Sequence, residues 1–203
     1  MAETYPGCRA IIREAYESRG LSEASIFVMT SSLSESTLSQ YDITYKKWWD
    51  FCRIHTNSLL NPTTNNVIEF LNEQFEKGSS YSTLNTFRSA LNILSPNKIE
   101  EKLINRFLKG VFRLRPVFPK YGFTWNPNPV LAYLSTLFPL QSLSLQALTY
   151  KLSSLLALCT AHRIQTLAKI KINNLAKFDN RIEVLIPELL KTSGPSREQP
   201  RLV

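Results

Sequence analysis

Ser36-Thr-Leu-Ser-Gln-Tyr-Asp-Ile-Thr-Tyr-Lys-Lys-Trp-Trp-Asp-Phe-Cys52 sets Leu38, Tyr41, Tyr45, Trp48 and Cys52 at helical spacing, and Trp49 and Phe51 widen the stripe. This predicts a long, firmly packed helix opened by Ser36 or Thr37. Downstream of Asn61-Pro62, Thr63 or Thr64 is placed to accept the orphan amides of a second helix, with Val67, Phe70, Leu71 and Phe75 inward and Gly78 as its stop. Ser80 or Ser82 opens a third, burying Leu84, Phe87, Leu91 and Leu94 and ending at Ser95-Pro96. A fourth is expected from about Lys98 to Lys109, with Ile99, Leu103 and Phe107 on one face and Gly110 as its end. Short loops between such helices imply a compact bundle.

Outward from this bundle the signals weaken. Ala10 to Arg19, ahead of Gly20, and Ser22 to about Met29 read as two short helices leaning on it. After it, residues 115–129 hold four prolines and one glycine, which forbid a regular helix and mark a linker. Two helices follow, about Val130 to Phe138 and about Leu143 to Cys159, the second expected to bury Leu145, Leu148, Leu152, Leu155, Leu156 and Cys159. Asp179-Asn180 reads as a turn, and Arg181 to Ile186 alternates as a strand does.

Composition bounds the function. The 203 residues are 43% hydrophobic and 20% charged, enough for one core or two small ones. Cys8, Cys52 and Cys159 are far apart, without a C-x-x-C, and only His55 and His162 are available to join them. That argues against zinc and against a disulfide framework, and for a reducing compartment. The acidic N-terminus is no signal peptide, and the longest apolar run, Leu152 to Ala161, is too short to span a bilayer. Residues 1–97 carry 8 Lys and Arg against 10 Asp and Glu; residues 98–203 carry 16 against 6. The net charge of +8 therefore resides in the second half. It is densest in residues 98–122, where cations interleave with Phe107, Phe112, Phe118 and Tyr121. Cations that neutralise phosphates release condensed counterions, so a polyanionic partner fits; a solvated helix face is the plainer alternative.

One motif sharpens this. Thr160-Ala-His-Arg163-Ile-Gln-Thr-Leu167 resembles the first arginine motif of the tyrosine recombinase (phage integrase) family, with Ala161 in place of the usual glycine and Thr166 in place of the usual acid. Ile186-Pro-Glu-Leu-Leu-Lys191-Thr192 is similar to the hairpin that carries the family's lysine. Thr37, Tyr41, Trp48, Phe51 and Cys52, then Val67 to Leu71, then Ser80 to Leu84, follow its core-binding domain. The similarity covers roughly residues 30–203, its wording nearest to recombinases of eukaryotic mobile elements. It implies a mainly α chain: a helical extension over 1–33, a SAM-like core-binding bundle over 34–114, a linker over 115–129, and the N-terminal part of an α+β catalytic domain, truncated, over 130–203.

In that family a tyrosine hydroxyl attacks a DNA phosphodiester and forms a 3′-phosphotyrosyl link, with no cofactor. By resemblance Arg163 would hold the non-bridging oxygens through two parallel hydrogen bonds, and Lys191 would protonate the departing 5′-oxygen. The plain readings are a cation at a helix end and a lysine in a surface turn. No His-x-x-Arg follows, and all eight tyrosines precede Arg163, the last being Tyr150. The expectation is a DNA-binding, integrase-like protein of DNA recombination with an incomplete active site, inactive alone. A non-catalytic DNA-binding module and a helical protein-interaction domain are the alternatives. Double-stranded DNA is the expected partner, with no metal and no membrane, and family members assemble on DNA as oligomers. Lys109, Arg113, Arg115 and Lys120 are expected on phosphates, and Lys47 and Arg88 are weaker candidates for groove contacts. A nuclear location follows if the source is eukaryotic, otherwise a cytoplasmic one; secretion is not expected.

Overall fold

The computed structural model describes residues 4–94, 99–118, 121–190, 193–194 and 201–202. The chain divides into two units, Met1–Lys120 and Tyr121–Val203. Among the described residues the fold is mainly helical with one small sheet.

In the first unit the order is α1 (Cys8–Glu17), α2 (Glu23–Ser31), α3 (Glu35–His55), α4 (Thr64–Glu76), α5 (Tyr81–Leu94) and α6 (Glu101–Leu114). Small hydroxyl side chains start most of them. Ser22 accepts the amide of Ser25, Ser34 that of Thr37, Thr63 that of Asn66 and Ser80 that of Thr83, each worth about 1 kcal/mol. At Thr63 the box is reciprocal, because the Asn66 side chain accepts from the Thr63 amide. The long helix thus begins at Glu35, earlier than Ser36 or Thr37 suggested, because Ser34 already supplies the cap.

The expected stripe of α3 is the centre of the core. Tyr45 and Trp48 are fully buried and Leu38, Phe51 and Cys52 nearly so. Trp48 packs at 5.4 Å on Phe51 and edge-on at 5.3 Å to Phe70 of α4, and Phe70 continues to Phe87 of α5 at 5.7 Å. The polar ends of these rings are satisfied: Tyr45 donates to the Ala90 carbonyl at 2.8 Å and Trp48 to that of Leu59 at 3.0 Å. The N-terminal helix is part of this core, with Ile11, Ile12 and Ala15 of α1 wholly buried. Asp42 of α3 accepts both the Cys8 amide and the Tyr5 hydroxyl at 2.9 Å, which fastens the start of α1.

The fourth bundle helix departs from the sequence reading. It runs from Glu101 through Gly110 to Leu114 and buries Ile104, Leu108 and Val111, while Leu103 is 40% exposed and Phe107 half-buried. Apolar residues at both 103/107 and 104/108 left two registers open. Val111, beyond the glycine, completes the second register and carries the helix past the expected stop.

The second unit contains α7 (Asn128–Thr136), α8 (Leu145–Thr160), a short α9 (Ile164–Leu167) and an antiparallel sheet in the order β1 (Leu175–Lys177), β2 (Ile182–Leu185), β3 (Arg201–Leu202). Leu175 faces Val184, and Val184 faces Leu202 across the next pair. Phe178 donates to the Arg181 carbonyl at 2.8 Å, closing the turn that Asp179-Asn180 announced. Val184, Ile186 and Leu202 form a small core with Leu167, Ile170 and Leu190. The expectation that α8 buries its leucines and Cys159 is overturned for Leu145, Leu152 and Cys159, which are exposed, while Leu148, Leu155 and Leu156 are half-buried. No α8 residue is buried, and Leu145 and Leu152 are 82% and 60% exposed. Periodicity marks a helix, but burial needs a second surface, and among the described residues the helix that touches α8 most is the single turn α9.

Candidate nucleic-acid interface

α6 is strongly amphipathic. Its apolar side closes the bundle, and its opposite side is a row of cations. At 3.6 residues per turn, Lys102, Arg106, Lys109 and Arg113 (i, i+4, i+7, i+11) lie within about 60° of each other around the axis. All four are exposed. Among the described residues none of them meets a carboxylate or a backbone carbonyl. Like charges one turn apart repel by a few tenths of a kcal/mol per pair. That small cost is recovered only when an anion lies along the row.

The other expected cations divide by what they already hold. Arg115, at the C-cap of α6, donates to the carbonyls of Phe75 and Ser79 at 3.3 Å and lies 4.2 Å over the Phe75 ring, so it ties α6 to the end of α4. Lys47 donates to the buried Gln74 side chain at 3.1 Å and sits 5.5 Å over Phe87. Arg88 donates to Asn105 of α6 at 3.1 Å and is half-buried. These three are occupied by the bundle, whereas Lys109 and Arg113 are open. Lys120 lies outside the described residues. Lys102 and Arg106 lie in the basic segment 98–122, and their spacing with Lys109 and Arg113 is the sequence signal that points to them.

In the second unit, Arg163 follows a sharp chain reversal. Ala161, the C-cap of α8, has φ 52° and ψ 19°, a left-handed conformation that L side chains rarely adopt. Arg163 then opens α9, its carbonyl accepting the amides of Thr166 and Leu167 at 2.8 and 3.2 Å. Its side chain is exposed, with no hydrogen bond or ion pair among the described residues. Thr166, at the position of the motif's acid, is 6% exposed. His162 is half-buried beside it. Lys169 is exposed, whereas Lys171 pairs with Glu188 and holds that carboxylate below its usual range. Lys191 lies outside the described residues.

The thiols offer no nucleophile in the first unit. Burial pushes Cys52 up to about 12, and burial with the Asp42 carboxylate pushes Cys8 up to about 11. Among the described residues no three His, Cys, Asp or Glu side chains are grouped to hold a metal, and no helix is long and apolar enough to cross a membrane.

Residues 27–102 match the model of the phage integrase N-terminal SAM-like domain. No curated protein matches the chain.

Proposed function

We propose that the chain, whose residues 27–102 match the phage integrase N-terminal SAM-like domain, is a member of the tyrosine recombinase family of DNA recombination and integration and binds double-stranded DNA along the outer face of α6. The observation that carries this reading is the row Lys102, Arg106, Lys109 and Arg113, unpaired and set opposite the buried stripe of the same helix. Four cations in a line neutralise phosphates without reading base edges. They supply affinity and position. Arg115 and Arg88 act indirectly, by fixing α6 on the bundle, and Lys47 ties α3 to α4 and α5.

For the second unit the proposed chemistry is that of strand cleavage and rejoining. Arg163 grips the phosphate under attack, a role supported by its exposed and unpartnered guanidinium. Lys191 is assigned as general acid on its motif alone. Between Arg163 and Val203 there is no tyrosine, so no nucleophile is assigned in this segment.

Salt dependence tests the α6 assignment. Binding of a labelled blunt duplex should weaken steeply as salt rises. Replacing Lys102, Arg106, Lys109 and Arg113 together by alanine should reduce the slope of log affinity against log salt by about 3 to 4. A variant with the parental slope removes α6 from the interface.

A further inference from the structure

From Lys102 to Phe178 the chain contains no Asp or Glu, while eleven Lys and Arg fall in the same span. Within it, just before the prolines that lead into α7, lies Tyr121-Gly-Phe-Thr-Trp125. Tyr121, Phe123 and Trp125 are 72%, 82% and 54% exposed, and with Gly122 and Thr124 they line an open concavity of 740 Å³. Three large rings in five residues, turned to water, contrast with Trp48, which is wholly buried. Neither helix nor strand forms here, so the rings gain nothing from a regular backbone.

A partner must supply flat apolar faces and must tolerate, or favour, a segment devoid of acids. Nucleic acid meets both demands, but a duplex does not. Its bases are stacked on one another and present only their edges in the grooves. An unpaired strand offers ring faces and a charged backbone together, and stacking on aromatic side chains is how sequence-tolerant single-strand binding works.

We propose that residues 121–125 form a stacking platform for unpaired bases of a DNA strand, with Phe123 and Trp125 as the principal rings. This site adds to the α6 interface: it relies on that reading for the class of ligand, not for its location. Duplex bound along α6 and bases opened from it would then engage different residues of one chain.

The test uses the full chain with a fluorescein-labelled oligothymidylate and, separately, a blunt duplex. Trp48 is buried and Trp49 half-buried, so Trp125 reports directly. Its emission should be quenched by the oligothymidylate. Phe123→Ala with Trp125→Ala should lower single-strand affinity by about tenfold per ring, leave duplex affinity within about twofold, and leave the unfolding transition unchanged. Trp125→Phe, which keeps a stacking face, should restore most of that ring's share. Equal losses for duplex and single strand, or an unaltered single-strand affinity in the double variant, overturn the platform. The alanine variant of α6 keeps the two readings apart: undiminished duplex binding by it refutes the α6 interface, whereas the ring variants decide the platform.

Discussion

α5 and α8 are helices of 14 and 16 residues, both rich in leucine, yet α5 buries Leu84, Phe87, Ala90, Leu91 and Leu94 whereas α8 at most half-buries Leu148, Leu155 and Leu156. The difference lies in their neighbours. α5 is packed by α1, α3, α4 and α6, whereas the most extensive helix contact of α8 is with the single turn of α9. Apolar spacing along one helix is a request for cover. Only a second surface turns it into stability.

Substitutions at a covered position of the bundle and an uncovered position of α8 give the largest test of that contrast. Trp48→Ala removes a fully buried indole that touches Phe51 and Phe70, and is expected to destabilise the first unit by about 3–5 kcal/mol in urea unfolding. Leu152→Ala, at a side chain 60% exposed, should change stability by no more than about 0.5 kcal/mol. A Leu152→Ala cost approaching that of Trp48→Ala breaks the comparison, because it requires a packed surface over α8.

Alkaline pH should separate the units by a smaller margin. Cys52 titrates at about 12 in the fold against an ordinary value of 9.0. The unfolded thiol therefore loses its proton first. The folded state binds more protons in that window, so the stability from this burial is complete below about pH 9 and declines as pH rises toward 12. Cys8, raised to about 11, adds in the same direction. Cys159 is exposed and should react with a thiol reagent at once at pH 8, with Cys8 and Cys52 slower by roughly a hundredfold or more. Three equally fast thiols would show that the first unit opens readily.

The same contrast explains what could be read from the chain. The stripe on α3 was legible because Leu38, Tyr45, Trp48 and Cys52 admit one helical phase and flanking hydroxyls mark its start. α6 was ambiguous because Leu103 and Phe107 compete with Ile104 and Leu108; Val111 decides between them only once Gly110 is read as helical. The charge and the arginine motif indicate the kind of site proposed here. Which cations are already engaged was not legible, because Arg115, Lys47 and Arg88 look free until Phe75, Gln74 and Asn105 are seen beside them. β3 had no signal: two residues, Arg201 and Leu202, pair only because Val184 and Leu185 present an open edge.

The smallest expected effect concerns one bend found in both units. α3 ends at Thr56 and α8 at Ala161, each left-handed, with φ 54° and 52°. A side chain in that conformation costs roughly 1–2 kcal/mol, which glycine avoids while giving back about 0.4–1 through its freer unfolded chain. The motif that Arg163 resembles has glycine where this chain has Ala161, and the backbone there supplies the reason. Ala161→Gly should therefore stabilise the end of α8 by about 0.5 kcal/mol. In a loosely covered unit that gain is local, so it should appear as slower amide exchange around Ala161 and Thr166 with little change in the midpoint of global unfolding. Thr56→Gly relieves a similar bend in the well-covered unit, and its gain should instead raise the global midpoint. If Ala161→Gly also raises the global midpoint as Thr56→Gly does, α8 unfolds with the core and the two units do not differ in the way their burial implies.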